Sequence, residues 1–232
     1  MSDLEWTRYF SVYILQSIVI VFLSIIAFKV IRRNKNRLTI ILSTFYTLNI
    51  IGLIFNLILL PIKSNPASTI LYFIIFFTIS FGLIFLVIFL RNLMNIDIKT
   101  NSKVDFSIIF IYDLLISASF FIPGGFKLSE ATYWIPVYSW CFLTLLYIII
   151  TIMVVIPSII YFKKLYSKFE TPELKKKLNY FTFGTYGMFF LAYGVILYNT
   201  WQNPLFKLIW VVLALVIIPS GVLIYYGIAR DL

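Results

Sequence analysis

The chain has 232 residues and a net charge of +10; 62% of its residues are hydrophobic, 19% are aromatic and only 12% are charged. The single core of a water-soluble domain could not bury so much apolar surface, so the composition indicates an integral membrane protein. The basic excess does not favour a nucleic-acid-binding protein, because the basic residues lie between apolar runs instead of on one face of a soluble domain.

Residues that commonly carry catalysis or bind metals are scarce. Histidine is absent and Cys141 is the only cysteine, which argues against a disulfide within the chain and against a zinc or haem site. The sequence also lacks a paired-carboxylate motif and a nucleophile with an evident base. We therefore expect no enzyme activity, no cofactor and no metal.

Apolar runs follow one another along the whole chain. A bilayer core requires about 20 apolar residues per helix, and runs of about this length recur seven times. We therefore predict an all-α integral membrane protein, a single bundle of seven transmembrane helices. The predicted spans are residues 10–30, 38–60, 69–90, 106–122, 136–162, 181–201 and 205–229.

The basic residues divide unequally between alternate connections. Of the 19 lysines and arginines, only Arg8, Lys63, Lys127 and Lys207 fall in one of the two sets. Because cytoplasmic loops retain lysine and arginine, this asymmetry predicts an N-terminus outside and a C-terminus in the cytoplasm. If the short fourth span did not cross, everything after it would invert. The densest basic segment, residues 161–179, would then lie outside, so the charge distribution favours a real fourth span.

That segment is a predicted cytoplasmic loop and output surface. Basic residues of this kind attract anionic lipid headgroups or a signalling partner. The residues of the surface are Lys163, Lys164, Lys168, Lys175, Lys176, Lys177 and, at the end of the chain, Arg230.

Asp113 lies near the middle of the fourth span, with Ser117 one helical turn later. An intramembrane carboxylate is unfavourable unless it is protonated, paired or facing water, so it is a candidate ligand or proton site. On the second span Asn49, Gly52 and Asn56 form a polar, small stripe that could pair with it. The alternative is that these groups form hydrogen bonds between helices and serve only packing.

Aromatic residues concentrate toward the predicted outer side, where all five tryptophans fall. Such residues are typical of an interfacial belt. The second interpretation is an aromatic-lined cavity open to the outside, with Trp140 and Trp210 as candidate contacts for a small apolar or cationic ligand.

Proline and glycine mark the last three spans. Pro157 and Pro219 interrupt the cytoplasmic halves of the fifth and seventh spans, where each can seat a kink or act as a hinge. In the sixth span Gly184, Gly187 and Gly194 fall on one helical face, which predicts a close-packing surface.

The last third of the chain resembles the seven-helix N-terminal membrane region of prokaryotic sensor histidine kinases. One similarity is the run through Thr171, Pro172, Glu173 and the Lys175 to Lys177 cluster into Leu178, Tyr180 and Gly184. The other is the chain end, with Pro219, Tyr226, Gly227, Ile228, Arg230 and Leu232. The resemblance implies a receptor module whose last helix passes a signal to a cytoplasmic partner or output domain. Without histidine, the phosphoacceptor is not in this chain.

The leading hypothesis is a non-enzymatic sensor or receptor of a prokaryotic cell membrane, which binds a small ligand or responds to the lipid bilayer. A homodimer is compatible with this function, and nucleic acid is not an expected partner. The alternative is a small transporter or channel that uses Asp113 as a proton or cation site. A retinal-binding photoreceptor is disfavoured because Lys207, the lysine of the last span, lies at its outer end.

Overall fold

The structure, a computed structural model, describes residues 10–33, 36–95 and 102–229. Within these ranges the chain forms seven long helices and one short 3-10 helix, Glu130–Thr132. Helix α1 covers the π-helical stretch Phe10–Gln16 and Ser17–Arg33. The next helices are α2 (Arg37–Leu59), α3 (Ala67–Met94) and α4 (Ser102–Phe120). Helix α5 covers Trp140–Ile150, a π-helical turn at Thr151–Val155, and Ile156–Lys168. Helix α6 is Pro172–Thr200. Helix α7 covers Pro204–Leu213, a 3-10 turn at Ala214–Val216, Ile217–Ile224, and a π-helical turn at Tyr225–Ala229.

Six of these helices, all except α4, are long and apolar enough to cross a membrane. The chain is therefore a helical bundle of the multi-pass membrane type. Helix α4 is more polar because its 19 residues include Lys103, Asp105 and Asp113. At 1.5 Å per residue it is about 28 Å long, close to the roughly 30 Å of a hydrocarbon core.

Helix α4 runs antiparallel to α3 along most of its length. Near one end Asp105 pairs with Arg91 of α3. Midway along, the hydroxyl of Tyr112 donates to the carbonyl oxygen of Ser80 at 3.0 Å. At the other end the ring centroids of Phe120 and Phe73 are 4.8 Å apart. Helix α4 thus extends from one end of the bundle to the other.

The helix ends that carry most of the basic residues meet at one end of the bundle, here called the basic end. The Nζ of Lys168, on the last residue of α5, donates to the carbonyl oxygen of Met94 at 3.3 Å. The Nζ of Lys29 on α1 lies 5.9 Å from the ring of Tyr225 on α7. Consecutive helices alternate in direction, so their other ends meet at the opposite end, here called the hairpin end.

The hairpin end is named for two short antiparallel strands, β1 (Phe126–Lys127) and β2 (Val137–Tyr138), which pair Phe126 with Tyr138. This pairing corrects the predicted span 136–162, because helix α5 begins only at Trp140. Ser139 caps it by accepting a hydrogen bond from the Phe142 backbone at 3.2 Å. Tyr138 is buried and its hydroxyl pairs with that of Tyr72 on α3, which ties the hairpin to the bundle.

The densest basic segment is mostly helical, and its prediction as a loop is wrong. Helix α5 continues to Lys168 and α6 begins at Pro172, so the connection is only residues 169–171. Thr171 caps α6, and proline in the first turn is compatible with a helix start. Glu173 in the first turn also suits the helix dipole. Hydropathy alone could not detect these extensions, because they are polar.

Candidate functional site

A buried charge cluster joins helices α2, α3 and α4 at the basic end. Asp105 is only 5% exposed. Its Oδ2 accepts hydrogen bonds from Arg37 Nη2 at 2.7 Å and from Asn92 Nδ2 at 2.8 Å, while its Oδ1 pairs with Arg91 Nη1. One carboxylate thus holds two guanidinium groups, and the cluster keeps a net positive charge.

Each member of this cluster is positioned by the end of a helix. Arg37 is the first residue of α2, directly after Asn36, whose side chain accepts from the Thr39 backbone at 2.8 Å. Asn92, in the last turn of α3, is held because its amide also donates to the carbonyl oxygen of Ile88. Asp105 lies in the first turn of α4, where the helix dipole favours a negative charge. The cluster fixes three helix ends to one another.

The sequence pattern does not predict this cluster, because Asp105 lies one residue before the predicted fourth span. Arg37 and Arg91 were interpreted only as topological charges. A signal was present, since an acidic residue stood at the start of one span while two neighbouring connections carried arginines. Recognising it would have required knowing which helix ends pack together.

Asp113 lies about two helical turns beyond Asp105 on α4. Its Oδ1 is buried and has no hydrogen-bond partner among the described residues. The preceding residue, Tyr112, is fully buried against α3, so Asp113 lies at the side of the packed face. Ser117 is half-buried on the same side of the helix.

The structure does not pair Asp113 with the asparagines of α2. The amide of Asn49 donates to the carbonyl oxygen of Phe45 in its own helix, at 2.8 Å, and packs against Gly82 of α3. The amide of Asn56 donates to Oε1 of Gln16 on α1, at 2.9 Å. The predicted polar stripe is therefore divided between α3 and α1 and forms contacts between helices.

The two candidate tryptophans differ in their surroundings. Trp140 is 61% exposed at the start of α5. Trp210 is 5% exposed and covers Gly194 of α6, with its ring centroid 5.5 Å from that of Phe190. One faces outward as a belt residue does, and the other packs α7 on α6. No described contact joins them around a common cavity.

Glycines bring α6 and α7 close together, which confirms the predicted close-packing surface. A Cβ at Gly184 would lie 2.6 Å from the carbonyl oxygen of Ser220, and a side chain at Gly187 would meet that same serine. Nearer the basic end, a Cβ at Gly227 would lie 2.5 Å from the backbone nitrogen of Phe181.

Both candidate hinge prolines follow a departure from α-helical geometry. Pro157 lies two residues after the π-helical turn Thr151–Val155, and Pro219 lies three residues after the 3-10 turn Ala214–Val216. Proline lacks a backbone N–H and its ring clashes with the carbonyl four residues earlier, so an altered turn relieves that clash. The altered turns lie where the sequence predicts kinks; a kink and a hinge motion both stay predictions.

The predicted output lysines lie at the basic end and differ in their contacts. Lys163 and Lys164 are exposed. Lys177 forms an ion pair with Glu173 one turn away, at 2.7 Å. Lys175 and Lys176 lie over the rings of Tyr166 and Tyr180, at 5.2 and 6.0 Å from the ring centroids. Arg230 lies outside the described residues.

Comparisons of this chain with known protein families, with curated proteins and with solved structures find no match. The resemblance to the membrane region of sensor histidine kinases therefore stays a prediction from its motifs.

Proposed function

We propose that this chain is a seven-helix sensor of the cell membrane, receptor-like and without enzyme activity. It binds a small ligand or responds to the bilayer, and it signals to a cytoplasmic partner. The observation that carries the proposal is a contrast between helices. Helices α2, α3 and α4 are tied together by the Asp105 cluster, whereas α7 departs from α geometry on both sides of Pro219.

The seven-span topology is part of this proposal. The antiparallel course of α4 along α3 supports a fourth crossing despite its three charged residues. With seven crossings, the basic end lies in the cytoplasm and the hairpin end outside. The buried pairing of Asp105 with two arginines is also a means of placing a carboxylate at the edge of a bilayer.

In this mechanism α2, α3 and α4 form the fixed part and α7 the moving part. A sensor requires an element with two arrangements of similar energy, which a stimulus biases. At Gly184 and Gly187 the α6 surface lets α7 approach closely, with the small side chain of Ser220 lying against Gly187. A shift of α7 moves Gly227 against the start of α6, beside Lys177. The charged surface offered to a partner then changes.

The alternative is a transporter or channel, which the unpartnered Oδ1 of Asp113 favours. Proton or cation transfer requires a polar path through the bundle. The residues one turn away from Asp113 are Ile109 and Ser117, which supply one hydroxyl. Flux into proteoliposomes that disappears in the Asp113→Asn variant would favour this class over the sensor.

The sensor proposal is tested by two distances in the reconstituted protein, measured by electron resonance between spin labels in a Cys141→Ser background. One pair, Ser107→Cys with Tyr226→Cys, reports α7 against α4. The control pair, Ile40→Cys with Ser107→Cys, reports α2 against α4; all three positions are exposed. The probes are short-chain and long-chain phosphatidylcholine bilayers and a panel of small apolar and cationic compounds.

We expect at least one probe to change the α7 distance by about 2 Å or more, with the control pair unchanged. Pro219→Ala should reduce that change because it restores a helix hydrogen bond. An α7 distance that stays constant under every probe, or equal movement in both pairs, would overturn the proposal.

A further inference from the structure

A groove of about 830 Å³ runs along the outside of the bundle between α1 and the end of α7. Its apolar part is lined by Ile20, Val21, Ile25 and Phe28. Lys29 and Arg32 line it at the basic end. Val21, Ile25 and Phe28 are each more than half exposed, so the groove is open along its side. The groove thus has an apolar length and a positively charged mouth.

Lys29 and Arg32, at the mouth of the groove, each lie over an aromatic ring and are in no ion pair among the described residues. Lys29 Nζ lies 5.9 Å from the ring of Tyr225, and Arg32 Cζ lies 5.9 Å from the ring of Phe28. Within the part of the chain that the structure describes, neither is in an ion pair with an acidic residue. The two residues are three apart on a helix, so both reach one ligand group. Both are exposed, so an anion can approach them.

We infer that this groove binds one anionic phospholipid. Helix α1 is an apolar candidate span, so hydrocarbon is the natural occupant of the groove beside it. A phosphate complements the charges of Lys29 and Arg32, and the lipid's acyl chain follows α1 past Phe28, Ile25 and Val21. The positive-inside rule places the basic end at the cytoplasmic leaflet, which is the anionic one. The lipid site goes beyond the proposed sensor function; it rests on the orientation given in that proposal but not on signalling.

Native mass spectrometry of the detergent-purified protein tests the site with three probes. These are phosphatidylglycerol, phosphatidylcholine with the same acyl chains, and glycerol 3-phosphate, which carries the phosphate without a chain. The charge variant is Lys29→Gln with Arg32→Gln. Its control is Lys63→Gln with Lys127→Gln, which removes two exposed lysines at the hairpin end, outside the groove. Val21→Trp fills the apolar part; Val21 is itself exposed.

We expect one phosphatidylglycerol to be retained, with a preference of roughly 30-fold over phosphatidylcholine from two basic residues. The Lys29/Arg32 variant should lose that preference and the Lys63/Lys127 control should keep it. Val21→Trp should weaken retention although both charges remain. Circular dichroism of each variant checks that its helix content is unchanged.

Three outcomes would overturn the lipid site. A preference that survives in the Lys29/Arg32 variant places the headgroup elsewhere. Glycerol 3-phosphate that binds as well as the lipid makes this a site for free phosphates. If the protein retains no lipid and instead shows a dimer mass that disappears in Val21→Trp, the groove is an interface between two copies. None of these depends on signalling, so the lipid site and the sensor proposal can fail separately.

Discussion

Replacing Asp105 by asparagine should destabilise the bundle far more than the same replacement of Asp113 on the same helix. Breaking a buried ion pair by removing one partner costs about 3–5 kcal/mol, because the other charge stays buried. The side chains of Arg91 and Asp105 are 14% and 8% exposed, so this pair belongs in that range. The side chain of Arg37 is 40% exposed, and solvent screening limits its share to at most about 1 kcal/mol.

For Asp105→Asn we expect a loss near the lower limit, about 3 kcal/mol in the free energy of unfolding. The new amide oxygen can still accept from Asn92, which keeps one hydrogen bond of the cluster. Unfolding by sodium dodecyl sulfate in mixed micelles, followed by circular dichroism, measures the change. The controls are Asp113→Asn, whose carboxyl Oδ1 has no hydrogen-bond partner among the described residues, and Glu173→Gln, whose surface pair contributes less than about 1 kcal/mol.

A double variant separates a lost partner from a lost interaction. Replacing both members of a buried pair by apolar residues is often nearly neutral. Arg91→Met with Asp105→Leu should therefore be less destabilising than Asp105→Asn alone. Two results would refute the ion-pair explanation. One is that Asp105→Asn is no more destabilising than Asp113→Asn. The other is that the loss of stability in the double variant equals the sum of the losses in Arg91→Met and Asp105→Leu measured singly.

Two further predictions concern the α6–α7 contact and the hairpin end. Gly184→Ala places a Cβ 2.6 Å from the carbonyl oxygen of Ser220, so it should cost about 1–3 kcal/mol in the same unfolding assay. Phe183→Ala, at an exposed neighbour, should change little; equal effects would contradict the tight contact. Burial raises the pKa of Tyr138 to about 12, while hydrogen bonds to Tyr72 and Asn199 oppose the rise. Because the pKa is raised in the folded state, the contribution of this phenol to the free energy of unfolding is fully present below the ordinary pKa of about 10. The contribution then decreases between pH 10 and pH 12. Tyr138→Phe should lessen that fall, and an unchanged fall would exclude this phenol as a cause.

The helices could be predicted from the sequence because length and hydropathy report them directly. Among the described residues, six helices are long and apolar enough to cross a membrane, and each overlaps a predicted span. The fourth was inferred from the distribution of basic residues, and the structure adds its antiparallel course along α3. Helix ends were less predictable. The extensions of α5 and α6 around Lys168 and Pro172 are polar, and the strand pairing of Tyr138 depends on contacts across the hairpin.

The candidate site was harder to predict because periodicity gives a helix face but not the neighbour that covers it. Asn56 lies on the predicted stripe, yet it faces Gln16 of α1. Asp105 stood next to a predicted span, and its partners come from two other helix ends. The contact at Gly184 and Gly187 could be predicted, because glycines on one face of a membrane helix indicate close packing against another helix.

The membrane topology is tested most directly by labelling the two ends of α4 from outside the cell. In a Cys141→Ser background, single cysteines are introduced by Ser102→Cys, at the basic end, and by Glu130→Cys, between the hairpin strands; both positions are exposed. A membrane-impermeant maleimide is added to intact and to permeabilised cells. A fourth span predicts that the Glu130→Cys variant is labelled in intact cells and the Ser102→Cys variant only after permeabilisation. Labelling of both variants under the same condition would show that α4 does not cross, which would contradict the seven-helix sensor.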